Sequence, residues 1–207
     1  MKTNSHSVYI VGGSSQISNM FRDKGFHIVH GDAHKKPDIV VFTGGEDVSP
    51  RLYGENPLPK TYFSTSRDEK EVRIWNHYKN PDVFKVGICR GGQFLNVMNG
   101  GAMWQDVNNH TSSHHITDLL INKGNRVMVT STHHQMMIAG DDGDVLAVAK
   151  EADVFRSANP DRSIGRFDTE VVWYQKSKSL CYQPHPEYGP NISDNRKYFF
   201  DLIERLW

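Results

Sequence analysis

The sequence of 207 residues contains only two cysteines, Cys89 and Cys181. Two thiols so far apart in the chain do not make the disulfide framework of a small secreted domain. The sequence also lacks any apolar run near the roughly 20 residues that cross a bilayer. Residues 1–7 lack the apolar core and the small-residue cleavage site of a signal peptide. These absences predict a cytoplasmic protein with no membrane partner.

The chain has no excess of charge of either sign. Lys and Arg together number 24, and so do Asp and Glu, so the formal net charge is zero when the histidines are neutral. Balanced charge argues against a strongly basic nucleic-acid-binding protein and against an acidic tail. The sequence has no internal repeat, low-complexity tract or linker, and its length suits one domain. We therefore predict a single domain over residues 1–207 with no nucleic-acid partner.

The usual metal-binding spacings are absent, although the chain has 11 histidines. His110, His114, His115, His133 and His134 fall in one region. Catalytic zinc needs three or four ligands at suitable spacing, and neither HExxH nor a paired CxxC motif is present. The sequence therefore predicts no metal site.

Short apolar segments alternate with helical patterns in the first half of the chain. Such alternation implies right-handed crossovers and a parallel sheet. Strands are predicted over residues 8–11, 26–29, 38–42 and 83–88. Helices are predicted over residues 14–24, capped by Ser14, and over 67–79 and 90–98.

The second half of the chain is richer in strands. These are predicted over residues 126–130, 145–149, 169–174 and 179–183, before a last helix over 193–206. The irregular stretch 46–66 contains prolines, and loops of this length are usually functional or mobile. We predict an α/β fold with an open, mostly parallel sheet, flanked by helices and extended by antiparallel strands.

Cys89 lies where a predicted buried strand meets a predicted helix, in the segment Gly-Ile-Cys-Arg-Gly-Gly-Gln over residues 87–93. A side chain presented at a tight strand-to-helix turn needs small neighbours. The helix N-terminus favours a thiolate, and the amide of Arg90 would stabilise an oxyanion. This pattern indicates a nucleophile. A buried structural cysteine beside a glycine turn is the alternative.

A second segment, Gln-Pro-His-Pro-Glu over residues 183–187, follows the predicted strand 179–183. A thiol nucleophile needs a base, and the imidazole of His185 suits neutral pH. Glu187 lies two residues further on and would orient that base. A proline-rich turn with a solvated histidine is the alternative when this segment is taken alone.

Together, the two segments resemble class I glutamine amidotransferases, which carry a Cys-His-Glu triad on a flavodoxin-like α/β sheet. The strand-to-helix turn around Cys89, called the elbow below, matches at Gly87, Cys89, Gly91 and Gln93. At the second segment, Pro184 stands where that family more often has an aromatic residue. The resemblance implies that Cys89 is the nucleophile, His185 the base and Glu187 the orienting carboxylate. It also implies that Gln93 contacts the substrate and that no cofactor is needed.

Two further motifs resemble the γ-glutamyl hydrolase branch, in particular the γ-glutamyl-γ-aminobutyrate hydrolase type. Residues 43–55 match its Gly-Gly-x-Asp-x-x-Pro-x-x-Tyr pattern, and Gly45 would supply the second oxyanion donor. Residues 129–135 are similar to its Val-Asn-Ser-x-His-His-Gln segment, with Thr130 in place of the Asn. The resemblance implies that the following side chains lie near the substrate: Ser131, His133, His134 and Gln135. For the paired histidines, structural hydrogen bonding is the alternative.

The resemblance therefore implies hydrolysis of the γ-amide of glutamine or of a γ-glutamyl amine through a thioester. Because the sequence ends directly after the last predicted helix, we expect no fused synthetase domain. Two alternatives stay open. One is a glutaminase subunit that supplies ammonia to a separate synthetase, and the other is a catalytically silent binding protein on the same fold. Self-association is also compatible with the sequence.

Overall fold

The computed structural model describes residues 6–30, 36–159, 168–189 and 193–207. Most of the N-terminal residues on which the expectation of no signal peptide depends lie outside these ranges. The helices are α1 Ser15–Asp23, α2 Thr65–Tyr78, α3 Arg90–Met98 and α4 Asp194–Leu206. The strands are β1 Ser7–Ile10, β2 His27–Val29, β3 Ile39–Phe42, β4 Phe84–Ile88, β5 Ala102–Trp104, β6 Asp106–Val107, β7 His114–Asp118, β8 Arg126–Val129, β9 Met136–Ile138, β10 Asp144–Ala149, β11 Phe155–Arg156, β12 Asp168–Tyr174 and β13 Ser179–Tyr182.

Within the described residues, one nine-stranded sheet has the order β2-β1-β3-β4-β13-β12-β10-β7-β8. The strands from β2 to β13 pair in parallel, and the strands from β13 to β8 pair antiparallel. This arrangement confirms the predicted α/β class with antiparallel additions. The carboxyl ends of the parallel strands share one edge of the sheet, where ligands bind in open α/β folds.

The helices cover both faces of the sheet because its central strands alternate apolar side chains between the two faces. Val41 belongs to the hydrophobic cluster that contains Phe21 of α1 and Phe199 of α4. Its neighbour Val40 belongs to the cluster on the opposite face, which contains Phe94 of α3. Alternation along a buried strand therefore builds two cores, and the parallel strands are held between helical layers.

The predicted helices begin and end close to the observed ones. Ser14 caps α1 by accepting a hydrogen bond from the Ile17 amide at 3.3 Å, as predicted. Helix α3 has the predicted bounds, whereas α2 begins at Thr65 after a Ser64 cap, two residues earlier than expected. Among the described residues, no helix combines the length and the apolar character that a membrane span requires.

Five strands are missing from the sequence prediction. Four of them have two or three residues, too few for an apolar period to stand out: β5, β6, β9 and β11. The fifth, β7, buries alternate residues, but two of these are His114 and Asp118. Polar inward-facing side chains hid the alternation that predicts a strand.

Candidate active site

Cys89 is the single residue between β4 and α3. Its backbone has φ 52° and ψ −116°, a conformation that non-glycine residues rarely adopt. The side chain is only 7% exposed. Strained backbone of this kind is retained where the surrounding structure enforces it, and it is common at functional sites. The strand-to-helix turn thus directs the thiol away from both the strand and the helix.

Glycines make this turn possible because backbone atoms pass where side chains would otherwise be. A Cβ at Gly87 would collide with the backbone of Gly91, and a Cβ at Gly91 would collide with the carbonyl of Phe42. A Cβ at Gly92 would lie 2.9 Å from the amide nitrogen of Tyr182. Helix α3 therefore packs directly onto the sheet, as the small neighbours in the sequence predict.

His185 lies against the thiol and is oriented by Glu187. Its Nδ1 is 2.8 Å from Oε1 of Glu187, and both side chains are buried. Burial alone would lower the pKa of His185, but the nearby Cys89, the hydrogen bond with Glu187 and the negative charge of both groups raise it to about 10. The ring also stacks on Tyr188, with centroids 4.4 Å apart. The structure thus brings together the three side chains of the predicted triad.

The backbone of His185 is fixed by contacts that the sequence did not reveal. Its amide donates to the carbonyl of Thr130 at 3.0 Å, and its carbonyl accepts from the Thr130 hydroxyl at 2.5 Å. Asn195, in the first turn of α4, donates to the same carbonyl at 3.0 Å. Thr130, which replaces the Asn of the γ-glutamyl hydrolase motif, therefore helps to fix the backbone of the predicted base, His185.

The Gly44-Gly45 turn after β3 contacts the same pair of side chains. A Cβ at Gly44 would lie 3.2 Å from Cε1 of His185 and 3.7 Å from Cβ of Cys89. A Cβ at Gly45 would collide with the guanidinium of Arg67, which donates to the carbonyl of Gly44 at 2.8 Å. This turn therefore needs two glycines, and it brings backbone close to the thiol.

Arg90 has a role that the sequence did not suggest. Its side chain is buried and forms ion pairs with Asp68 and Glu71 of α2. Burial and the nearby Arg67 lower the pKa of Arg90 to about 10, and the charge of Asp68 opposes that shift. These pairs tie α2 to the elbow. The amide of Arg90 belongs to the first turn of α3, where amides lack partners within the helix.

The thiol opens into a cavity of about 190 Å³. It is lined by Gly45, Glu46, Asp47, Tyr62, Cys89, Arg90, Gln93, Thr132, His133, His134 and Gln135. Both predicted oxyanion residues and four of the five predicted substrate residues are among them. Ser131 is not, because its hydroxyl donates to the carbonyl of His110 inside the protein. Its predicted substrate contact stays a prediction.

The long segment after β3 supplies a wall of this cavity that the sequence left undefined. Asp47 accepts a hydrogen bond from the amide of Tyr62 at 2.8 Å, and its other oxygen lies 3.2 Å from Nε2 of His134. This contact with Asp47 raises the pKa of His134. Glu46, Asp47 and Tyr62 thus join the predicted residues. Glu46 and Asp47 belong to the Gly-Gly-x-Asp motif, whereas the signal for Tyr62 was its position in an irregular stretch of predicted functional length.

Cys181 lies in the middle of β13 and is fully buried. It is paired in register with Gly87 of β4, one strand away from the elbow. Burial raises the pKa of this thiol well above its usual value. The structure agrees with the expectation that Cys181 is a packed side chain rather than a second nucleophile.

Comparison with known proteins gives a family match. The family model described as Peptidase C26 matches residues 8–155, a range that includes Cys89 and ends before His185. The "Putative glutamine amidotransferase-like protein YvdE" of Lactococcus lactis subsp. lactis (strain IL1403) is 34% identical over 119 residues. That alignment covers 48% of this chain and 50% of the relative. The chain thus spans about half the length of this curated relative.

Solved structures share the fold at low sequence identity. A protein described as a "putative GMP synthase" subunit, from Thermoplasma acidophilum, has a TM-score of 0.67 at 15% identity, covering 97% of this chain and 94% of that chain. A glutamine amidotransferase from Thermotoga maritima has a TM-score of 0.64 at 15% identity, covering 98% and 85%. These similarities support the α/β architecture described above.

Proposed function

From the premise that this chain belongs to the Peptidase C26 family, which is glutamine amidotransferase-like, we propose that it is a cysteine-dependent γ-glutamyl hydrolase. Its substrate is glutamine or a γ-glutamyl amine, and its products are glutamate and ammonia or an amine. The observation that carries this proposal is the pair formed by His185 and Glu187, 2.8 Å apart, next to Cys89 across the Gly44 backbone.

The first step is attack by the Cys89 sulfur on the γ-carbonyl carbon. The attacking species is the thiolate, and the raised pKa of His185 supports an imidazolium beside it at neutral pH. As the C–S bond forms, the carbonyl oxygen becomes an oxyanion. The amides of Arg90 and Gly45, both at the cavity wall, stabilise it.

The second step breaks the C–N bond. His185 donates its Nε2 proton to the departing nitrogen, which leaves as ammonia or an amine, and a γ-glutamyl thioester remains on Cys89. The neutral imidazole then takes a proton from water, which attacks the thioester carbon. Glutamate leaves, and the thiolate and imidazolium are restored.

The charged lining of the cavity supports an amino-acid substrate. A glutamyl group carries a positive α-amino group and a negative α-carboxylate. Glu46 and Asp47 offer carboxylates to the first, and His134 offers a cationic ring to the second when it is protonated. Gln93 and Gln135 line the same cavity and would contact the amide end.

The test is glutamate release by the purified chain from glutamine and from a panel of γ-glutamyl amines. We expect turnover by the wild-type protein and by Cys181→Ala, and none by Cys89→Ala. Turnover of a γ-glutamyl amine well above that of glutamine would support the hydrolase assignment. Activity of Cys89→Ala near the wild-type level would refute the thiol mechanism.

An ammonia-supplying component of a larger synthetase is the second candidate. The similarity to a protein whose description names GMP synthase favours it. In this case the isolated chain should react with Cys89-directed reagents but turn over glutamine only when a synthetase partner is added. A chain that neither turns over these amides nor reacts at Cys89 would instead be a silent binding protein.

A further inference from the structure

A second group of titratable side chains lies beside the cavity but takes no part in the proposed chemistry. It is centred on Glu170 in β12, and we call it the Glu170 cluster. Its other members are His110, His114 at the start of β7, His133 between β8 and β9, and Asp168. Glu170 and His110 are completely buried, and the remaining three are at most 6% exposed.

Three imidazole nitrogens converge on one carboxylate oxygen. Oε1 of Glu170 lies 3.1 Å from Nε2 of His114, 3.3 Å from Nδ1 of His110 and 3.9 Å from Nε2 of His133. The facing atoms of His110, His133 and Glu170 all lie within 4.8 Å of one another. Side chains from three separate parts of the chain therefore offer nitrogen and oxygen atoms to one point.

The opposite nitrogen of each ring is held by an acceptor. Nε2 of His110 is 3.2 Å from Oδ2 of Asp168, and Nδ1 of His133 is 2.9 Å from the carbonyl of Gln135. Nδ1 of His114 is 3.2 Å from the carbonyl of Ser112. A carbonyl or carboxylate oxygen can only accept, so a proton on each outer nitrogen satisfies these three contacts. This arrangement is what orients metal-bound histidines in proteins.

Within the described part of the chain, two of the inner nitrogens lack a hydrogen-bond partner. Nε2 of His114 is hydrogen-bonded to Oε1 of Glu170 at 3.1 Å, but the other two rings make no such bond with Glu170. Nδ1 of His110, Nε2 of His133 and Oε2 of Glu170 find no hydrogen-bond partner among the described residues. Protons on two of the rings would balance the charges of Glu170 and Asp168 but would leave an inner nitrogen without a partner. One divalent cation would balance the same two carboxylates and would also bind the unpartnered nitrogens of His110 and His133.

We propose that the Glu170 cluster is a structural site for a divalent transition metal ion, with Zn²⁺ the best match. His110, His133 and Glu170 are its ligands. Tetrahedral zinc with nitrogen and oxygen ligands places its ligand atoms roughly 3.4 Å apart. The distance of 3.3 Å from Glu170 to His110 already agrees with this value, and the remaining gaps would close on binding. A metal here departs from the sequence expectation of none.

This site would be closed and therefore structural rather than catalytic. Its three protein ligands are buried, and the buried His114 packs against Glu170 beside them, so no position is open to a substrate. His133 and Gln135 also line the cavity beside Cys89. The metal would thus link β12 and the segment before β7 to the segment that forms the substrate wall.

The test measures metal binding directly and does not depend on turnover. The full chain is treated with a chelator, dialysed, loaded with Zn²⁺ or Co²⁺, and analysed by plasma mass spectrometry and visible absorption. We expect about one metal ion per chain and the intense visible bands of tetrahedral cobalt. Glu170→Gln and His133→Gln should lose both signals. His115→Ala should keep both, since His115 alternates to the other face of β7.

A thermal-denaturation measurement covers variants that fold poorly. Because a ligand that binds only the native state raises its stability, Zn²⁺ should raise the Tm of the wild-type chain and of His115→Ala. It should leave the Tm of His133→Gln unchanged. Wild-type protein that folds, retains no metal after loading and shows no Tm shift would overturn the proposal and leave protons as the only occupants. That outcome would not affect the proposed hydrolase, whose test is turnover.

Discussion

The two thiols of this chain belong to neighbouring parallel strands, one within β13 and one directly after β4, and they have opposite environments. Cys181 is in the middle of β13, fully buried, with its pKa raised by burial. Cys89 directly follows β4, at a positive φ, beside a histidine and at the wall of a cavity. Cys181 is aligned with Gly87, two residues before Cys89, so a displacement of only two residues along the sheet separates a core side chain from a candidate nucleophile. Reactivity follows from where the strand ends and what meets it there.

The largest expected effect comes from exchanging the two thiols for alanine. Cys89→Ala should reduce turnover by at least about ten-thousandfold, because it removes the atom that forms the thioester. Cys181→Ala should retain activity and lose only packing energy, roughly 1–2 kcal/mol. Glutamate release and urea unfolding measure these two quantities. In the native protein, iodoacetamide should label Cys89 and spare Cys181 in peptide mass spectra. Equal labelling would contradict the comparison.

The next effect, on the free energy of unfolding, tests whether close packing at the glycine elbow stabilises the turn that carries Cys89. Gly91→Ala places a methyl group against the carbonyl of Phe42, where only backbone can give way, and should cost about 3 kcal/mol. Gly100→Ala is the matched control, because it has a positive φ but nothing within 4 Å of the added Cβ. It should cost only about 1 kcal/mol. Similar losses in urea unfolding for both variants would show that close packing at the elbow is unimportant.

A smaller effect should follow when His185 is kept beside Cys89 but the carboxylate of Glu187 is removed. Glu187→Gln should lower kcat/KM by roughly a hundredfold or more, since the ring is no longer oriented or stabilised as a cation. The general acid must be protonated, so the alkaline fall of the wild-type rate should lie near the His185 pKa of about 10. In Glu187→Gln it should move to lower pH. An unchanged pH profile would remove Glu187 from this role.

The same pKa has a consequence for stability. The pKa of His185 is raised in the folded protein from 6.5 to about 10. Its contribution to the free energy of unfolding is therefore complete below pH 6.5 and is lost as the pH rises through 10. Urea unfolding between these values should show falling stability in the wild type, and a weaker fall in Glu187→Gln.

The smallest effect concerns the support behind the base. Thr130→Val removes the hydroxyl that donates to the carbonyl of His185 and accepts from Asn195 at 3.0 Å. We expect a loss of about 1 kcal/mol in unfolding free energy and a modest fall in kcat. Thr130→Asn restores a donor at this position and should recover most of both. No difference between the valine and asparagine variants would mean that the hydroxyl does not position the base.

Prediction from the sequence was most accurate where local pattern and local structure coincide. Helix α3 has its predicted bounds, and the elbow before it was recognised from Gly87, Cys89 and Gly91. Their spacing is a direct consequence of the backbone crowding seen in the structure. His185 and Glu187 were found in the same way, because two residues on a constrained turn can form a hydrogen-bonded pair without help from distant elements.

The residues that were missed depend on contacts between distant parts of the chain. Glu170 lies in a strand that was predicted, but no local pattern sets it apart as the partner of His110 and His114. The histidines were noticed as a group, yet their separation in sequence fits no known metal motif. In β7, inward-facing polar side chains hid the strand itself. Ser131 was assigned to the substrate, and only the fold shows that it donates to a backbone carbonyl.

The sequence by itself determined the alternation of strands and helices, the glycine elbow around Cys89 and the constrained turn that carries His185 and Glu187. Each of these depends on side-chain period or backbone sterics over fewer than about ten residues. Only the tertiary structure decided that β13 lies next to β4, so that the turn after one meets the turn after the other. It also decided that one thiol is buried and the other reaches a cavity. The order of strands in the sheet, set by packing over the whole chain, has no local signature.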